Sequence, residues 1–438
     1  MFETVRNAFK LKEIRSRIIY TLLMLVVVRI GTQLPVPGVN GSYFSEWFSG
    51  NSGSAFGFFD AITGGSFEKM SVFALNITPY ITSSIIIQLL TIAIPKLEEL
   101  QKDGEEGRKK MTAITRYLTV ALALMESLAM AIGFGRSGLL IKFNALNVIT
   151  AVVTLTAGST VIMWIGERIT ENGVGNGISI VLTINIISRI PQDLTLLFEQ
   201  FVKGKEIAFQ VLNLAIIIAI IIIVTVLTVA LQGAERRIPV QYSRKVQGRK
   251  QVGGQTSHIP LKVNTAGVIP IIFAQSLFMF PLIIMQLLGK SGGNGIGGTI
   301  LKMLNQSNWC DFNEPIYSIG LIVYIALVIA FAYFYTSITF NPLEIADNMK
   351  KQGGFIPGIR PGKPTSEYLT KILNYIIFIG AVGLVIVAVI PIFFEGAFNA
   401  SISFGGTSLI IIVGVIIETL KQIESRMLVR NYKGFLND

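Results

Sequence analysis

The chain has 438 residues, 51% of them hydrophobic and only 14% charged, with a net charge of +11 and a mean hydropathy of +0.62. Soluble domains carry about 25% charged residues, so water is not the main solvent of this chain. A single cysteine, Cys310, excludes an intrachain disulfide, and a single histidine, His258, excludes a multi-histidine metal site or a histidine-rich proton relay.

Residues 1–17, "MFETVRNAFKLKEIRSR", are polar and basic and read as a short amphipathic helix at a membrane surface, with no cleavable leader evident. Ten spans of bilayer length follow, at 18–36, 71–94, 112–133, 147–166, 176–197, 211–231, 265–288, 316–338, 371–391 and 403–422. The sixth, "VLNLAIIIAIIIIVTVLTVAL", has no charged residue. Between the first two lies "FFDAITGGSFEKM", residues 58–70, too short and charged to span and too apolar for water. A re-entrant segment tucked into protein satisfies both facts, and an external loop is the alternative. The second span, "SVFALNITPYITSSIIIQLL" over 71–90, is apolar yet carries Asn76, Thr78, Thr82, Ser83, Ser84 and Gln88. Helical spacing puts Ile77, Ile81, Ser84 and Gln88 on one face, with Pro79 near the start, where its missing N–H costs least. Glycines interrupt the join of the fourth and fifth spans, "WIGERITENGVGNGIS", and Asn176 suits positive φ there.

Two connections are longer than a link requires. In 232–262, alternation of Ile238, Val240 and Tyr242, and of Ile259, Leu261 and Val263, predicts a hairpin with Arg244, Lys245, Arg249 and Lys250 near its tip. In 339–371, glycines and prolines break up a basic loop. Such surfaces suit a protein partner or ribosomal RNA phosphates, or serve only to fix topology. Segments on one side of the membrane hold 28 of the 37 Lys and Arg, which makes that side cytoplasmic and puts both termini there. Five spans per half would insert the second half upside down relative to the first, as in inverted-repeat membrane proteins. The expected organisation is a surface N-terminus (1–17), a first half (18–197), a second half (198–422) and a cytoplasmic tail (423–438).

Taken together the second-span and fourth-to-fifth-span stretches are specific, and the chain resembles the SecY family of channel subunits of the bacterial Sec translocase over essentially its whole length. "PVPG" after the first span, "LKVNTAGVIP", "FNPLEIADNMKKQGGFIPGIRPG" and "FGGTSLII" fall in the family's order. Asn76 departs from the family pattern, which has glycine there. The resemblance implies an all-α polytopic membrane protein, two inverted five-helix halves around a central pore. It implies a ring of apolar side chains at the waist: Ile77, Ile81, Ile178, Leu182, Ile272 and Ile411. A narrow apolar constriction dewets and blocks ions, while branched side chains yield around a passing chain. The resemblance further implies a plug at about 58–70, including Asp60, Gly64, Gly65 and Phe67. It places a lateral gate toward lipid between the second, third, seventh and eighth spans, with Thr82 and Glu126 as polar contacts. It assigns Arg249, Lys250 and Arg360 to docking of a motor or ribosome.

The implied activity is passage of unfolded secretory chains across the bacterial plasma membrane and release of apolar segments sideways into lipid. The implied partners are SecE-like and SecG-like small subunits, a SecA-type motor ATPase, the ribosome, the preprotein and membrane lipids. No cofactor or enzymatic step is expected, and no nucleotide-binding or catalytic motif is found. From residues alone, a secondary transporter for a small solute stays open, though few charged groups beyond Arg29 and Glu126 could form its site. An intramembrane protease is disfavoured by the lack of paired aspartates or a nucleophile motif.

Overall fold

A computed structural model describes residues 6, 9–51, 60, 62–135, 138–203, 207–242, 245–247, 250–252, 256–287, 296–305, 308–310, 315–398 and 406–434. The helices are α1 (Lys12–Gly31), α2 (Gly41–Asn51), α3 (Thr78–Ala93), α4 (Pro95–Lys102), α5 (Gly104–Gly133), α6 (Ala145–Asn172) and α7 (Gly177–Phe201). They continue with α8 (Ile207–Gly233), α9 (Ile269–Leu287), α10 (Ile296–Leu304), α11 (Ile319–Thr339), α12 (Pro342–Lys351), α13 (Lys363–Phe398) and α14 (Gly406–Gly434).

Six of these helices are by themselves long and apolar enough to cross a membrane, or seven when α3 and α4, bent by 110°, count as one broken span, among the described residues. They coincide with the second to sixth, eighth and ninth spans expected from the sequence. The first, seventh and tenth fall on α1, α9 and α14, which do not meet that standard alone. α1 carries Glu13, Arg15, Arg17 and Arg29, α9 holds Pro281 inside, and α14 runs into Glu418, Lys421, Glu424 and Arg426. Leu22, Leu23 and Val26 on α1, and Ile222, Ile223 and Val226 on α8, are exposed, as side chains that meet lipid should be.

The chain forms two compact units. The first comprises Met1–Glu199, Pro281–Ser307 and Val415–Asp438. Small residues let its helices close up. Ala123 and Ala131 of α5 pack with Ala151, Val152 and Leu155 of α6, beside Ala74 and Leu75. Arg17 of α1 and Arg426 of α14 both donate to the carbonyl of Gly173 at the end of α6, and Ile14, Val174 and Ile423 form an apolar cluster there. Asn176 does not take the positive φ expected of it. Gly175 does, at +76°, and the Asn176 side chain instead accepts from the Ile178 and Ser179 N–H groups, satisfying orphan donors at the start of α7.

The second unit comprises Gln200–Phe280 and Asn308–Gly414. The expected hairpin is present. β1 (Glu235–Tyr242) pairs antiparallel with β4 (Thr256–Lys262), Ile238 opposite Ile259. Between them, β2 (Lys245–Gln247) and β3 (Lys250–Val252) form a second small ladder. A short strand from the other long loop, β5 (Gly354–Phe355), joins β1 on its far side and was not anticipated. Ile238, Val240 and Leu261 bury one face of this sheet against Met349 of α12 and Leu369, Ile372 and Ile376 of α13. The two basic loops are therefore one folded module rather than separate solvated links. Pro342 sits in the first turn of α12, and the Asn341 side chain caps it by accepting from Leu343 and Glu344.

Candidate functional site

In the first unit, Asp60 and residues 62–77 carry a run of buried polar groups, Asp60, Thr63, Ser66, Ser71 and Asn76. The later part of this run does not begin a helix, as the expected second span would have it. Ser71 bridges to Pro35, residues 72–77 make turns, and α3 starts only at Thr78, with Pro79 in its first turn. Two left-handed residues bracket the stretch, Met70 (φ +43°) and Asn76 (φ +50°), and each interrupts a helical run. The Asn76 side-chain amide donates to the Ile62 carbonyl at 3.2 Å, and the Asn76 carbonyl accepts from Ser159 of α6 at 3.0 Å. Asparagine, with glycine, is among the residues best tolerated in this region, so this departure from the family pattern keeps the backbone geometry and adds a tether.

The stretch braces itself. Asp60 Oδ1 accepts from the Glu68 N–H at 2.8 Å, and the Asp60 carbonyl accepts from Thr63 Oγ1 and from the Gly65 N–H. Ser66 Oγ donates to the carbonyls of Thr63 and Phe73. Gly64 and Gly65 have φ of +69° and +78°, a left-handed turn that glycine adopts without strain. A Cβ at Gly64 would come within 2.6 Å of the Asn185 carbonyl oxygen, so the loop lies hard against α7. Phe67 is buried edge-to-face on Phe44 of α2, ring centroids 5.3 Å apart. On the other side, a side chain at Gly158 of α6 would overlap the Val72 carbonyl. The Met70 carbonyl accepts from the Val36 N–H, and the Val72 N–H donates to Leu34, so the segment also pairs with the "PVPG" turn.

An ionic cluster missed from the sequence holds this loop to α7. Arg189, 8% exposed, forms an ion pair with Asp60, which is wholly buried, and lies 3.3 Å from Glu68 and 3.6 Å from Asp193. Arg29 of α1 donates to Asn185, one turn away on the same helix. Burial pushes the Glu68 carboxyl up, partly offset by the Ser45 hydroxyl and Lys69. The available signal was an Arg–Asp pair at i, i+4 flanking Pro191 within a membrane-length helix; nothing local pointed it at Asp60.

Of the six residues expected in the ring, Ile77 and Leu182 are buried and Ile81 and Ile178 half-buried within the first unit. Ile77 immediately precedes α3 rather than lying on it. The buried face of α3 is Pro79, Ser83, Ile87 and Thr91, leaving Ile81, Ser84 and Gln88 on a half-buried side. Ser83 and Thr91 settle their hydroxyls on carbonyls four residues back, both at 2.7 Å. Thr82 of α3 and Glu126 of α5 are half-buried. In the second unit Ile272 of α9 is half-buried and Ile411 of α14 buried. Arg360 is exposed on the turn between Gly358 and Gly362. Arg249 lies outside the described residues, as does the Lys250 side chain, whose backbone belongs to β3.

The SecY family model matches residues 71–420. The chain is 42% identical over 443 residues to the protein translocase subunit SecY of Halalkalibacterium halodurans, and 41% identical over 449 residues to that of Bacillus subtilis, covering the whole of each. This chain belongs to the SecY family. In fold it is similar to a solved protein-conducting channel at 19% identity (TM-score 0.62, 94% of this chain and 92% of that one). It is also similar to Sec61 in a canine ribosome-channel complex at 18% identity (TM-score 0.61, the same coverage). SecY-family membership and the apolar helices make it a multi-pass, all-α membrane protein, with β4–β1–β5 as its larger sheet among the described residues.

Proposed function

We propose that this chain is the channel subunit of a Sec translocase in the bacterial plasma membrane. It passes unfolded secretory polypeptides and releases apolar segments into lipid. The single observation that carries the reading is similarity to curated SecY translocase subunits over the full length of both chains. Ile77, Ile81, Ile178, Leu182, Ile272 and Ile411 form the apolar constriction. Residues 58–70, with Asp60, Gly64, Gly65 and Phe67, act as the plug; the braced, buried loop around Asp60 supports this role. Thr82 and Glu126 belong to the lateral gate. An unpaired carboxylate facing lipid is costly, roughly 2.5–3.5 kcal/mol for Asp at a helix centre, so Glu126 faces protein or water. Both termini are cytoplasmic, as is the module carrying Lys250, Arg249 and Arg360, which docks a SecA-type motor or the ribosome. SecE-like and SecG-like subunits complete the assembly.

Work comes from the partner, through ATP or translation. The test is import of a precursor into proteoliposomes holding this chain, the two small subunits and the motor. ATP-dependent import is expected. No import where a control translocase works, together with ion-coupled uptake of a small solute, would move the chain to the transporter class.

A further inference from the structure

Resting on the plug reading above, the geometry points to Arg189 as the gating residue of this channel: its guanidinium latches the loop at 60–70 onto α7 through Asp60 and Glu68. Three observations carry it. Arg189 is almost completely buried, on a helix whose buried face also carries Asn185 and Asp193 one turn to either side of it. It reaches both carboxylates of the loop and is backed by Asp193 one turn along. The Asn76 tether to Ile62 holds the same loop from the side of α3, between the two latched carboxylates.

A buried ion pair is a poor way to add stability, because apolar residues of equal volume do as well or better. Breaking one by removing a single partner is costly, because a charge is left buried and alone. The pair therefore contributes little to the fold's overall stability and much to the loop's position. Its strength also depends on dryness. In a water-free bed the attraction is strong; once water enters, both groups are solvated and the attraction falls severalfold. Arg189 thus makes the closed state stiff against small fluctuations and releases readily once an entering chain has wetted the cavity. A guanidinium suits this role, since its rigid fork serves several carboxylates at once, whereas an ammonium is a single compact charge.

The test uses the complete translocon in planar bilayers and proteoliposomes, in a Cys310→Ser, Ile62→Cys background. Resting ion conductance and the modification rate of the introduced thiol by a membrane-impermeant maleimide are read without precursor. Arg189→Gln and Asp60→Asn should each raise both by about tenfold or more, the scale of a broken buried pair. The double variant should exceed neither single, because both remove one shared contact. Arg189→Lys should lie between parent and Arg189→Gln. Parent-like conductance and labelling in Arg189→Gln, or multiplied effects in the double variant, overturn the latch. Should Arg189→Gln fail to co-purify with the small subunits, Asp60→Asn and Arg189→Lys decide it: a parent-like seal in both rejects the proposal. Precursor import by the parent is measured alongside. Its absence counts against the channel reading, whereas import with an unaltered seal in the variants counts against Arg189 alone.

Discussion

Asn76 shows how one residue sets local geometry and ties down a neighbour. Its left-handed backbone forces the turn before α3, and its amide spends itself on Ile62. Two substitutions separate these roles. Asn76→Gly keeps the backbone conformation and loses the tether, so thermal unfolding in detergent should shift by no more than about 0.5–1.5 kcal/mol, the net worth of one hydrogen bond. Asn76→Val loses the tether and puts a β-branched residue in a region it rarely enters, adding about 1–2 kcal/mol. Equal losses in the two would mean that the backbone angle is not what position 76 demands. Gly64→Ala is a sharper case, since both its φ and the Asn185 carbonyl oppose a side chain; it should raise resting ion leak in planar bilayers.

At the scale of elements, α12 depends on its cap. Asn341→Ala leaves two N–H groups without an acceptor and should cost about 0.5–2 kcal/mol. Amide exchange localised to the first turn of α12 would register it, and unchanged protection there would show that water replaces the cap. Much of this level was legible in advance. The apolar runs gave the helices, and the alternation of Ile238, Val240 and Tyr242 against Ile259 and Leu261 gave the hairpin, because both are periodicities within a short window. The late start of α3 was hidden, since "SVFALN" is apolar enough to read as helix and the left-handed backbone at Met70 and Asn76 decides otherwise. The strand β5 is only two residues long and pairs across more than a hundred positions. The Asp60–Arg189 pair joins residues equally far apart, where no local pattern reports. Family resemblance gave roles to Ile77 and Arg360, but it was silent on Arg189.

For the molecule as a whole, the channel reading makes two demands. Ile81→Asn and Ile272→Asn should each raise resting ion conductance, because a polar side chain wets an apolar constriction. Conductance equal to the parent would remove that position from the ring. Arg360→Glu should slow motor-driven import severalfold, more so at low salt, because an exposed docking charge acts chiefly on association. Assembly with the small subunits should be unaffected, and normal import rates would take Arg360 out of the docking surface. The self-bracing of residues 60–73 carries a last consequence for repeated use. Their hydrogen bonds run mainly from one part of the loop to another, through Asp60, Thr63 and Ser66. A piece closed on itself in this way can move as a preformed bead, with Gly64 and Gly65 shaping the turn inside it. On the proposed plug role it need not be rebuilt after each substrate passes, so resealing would run at the pace of a rigid-body move rather than of refolding.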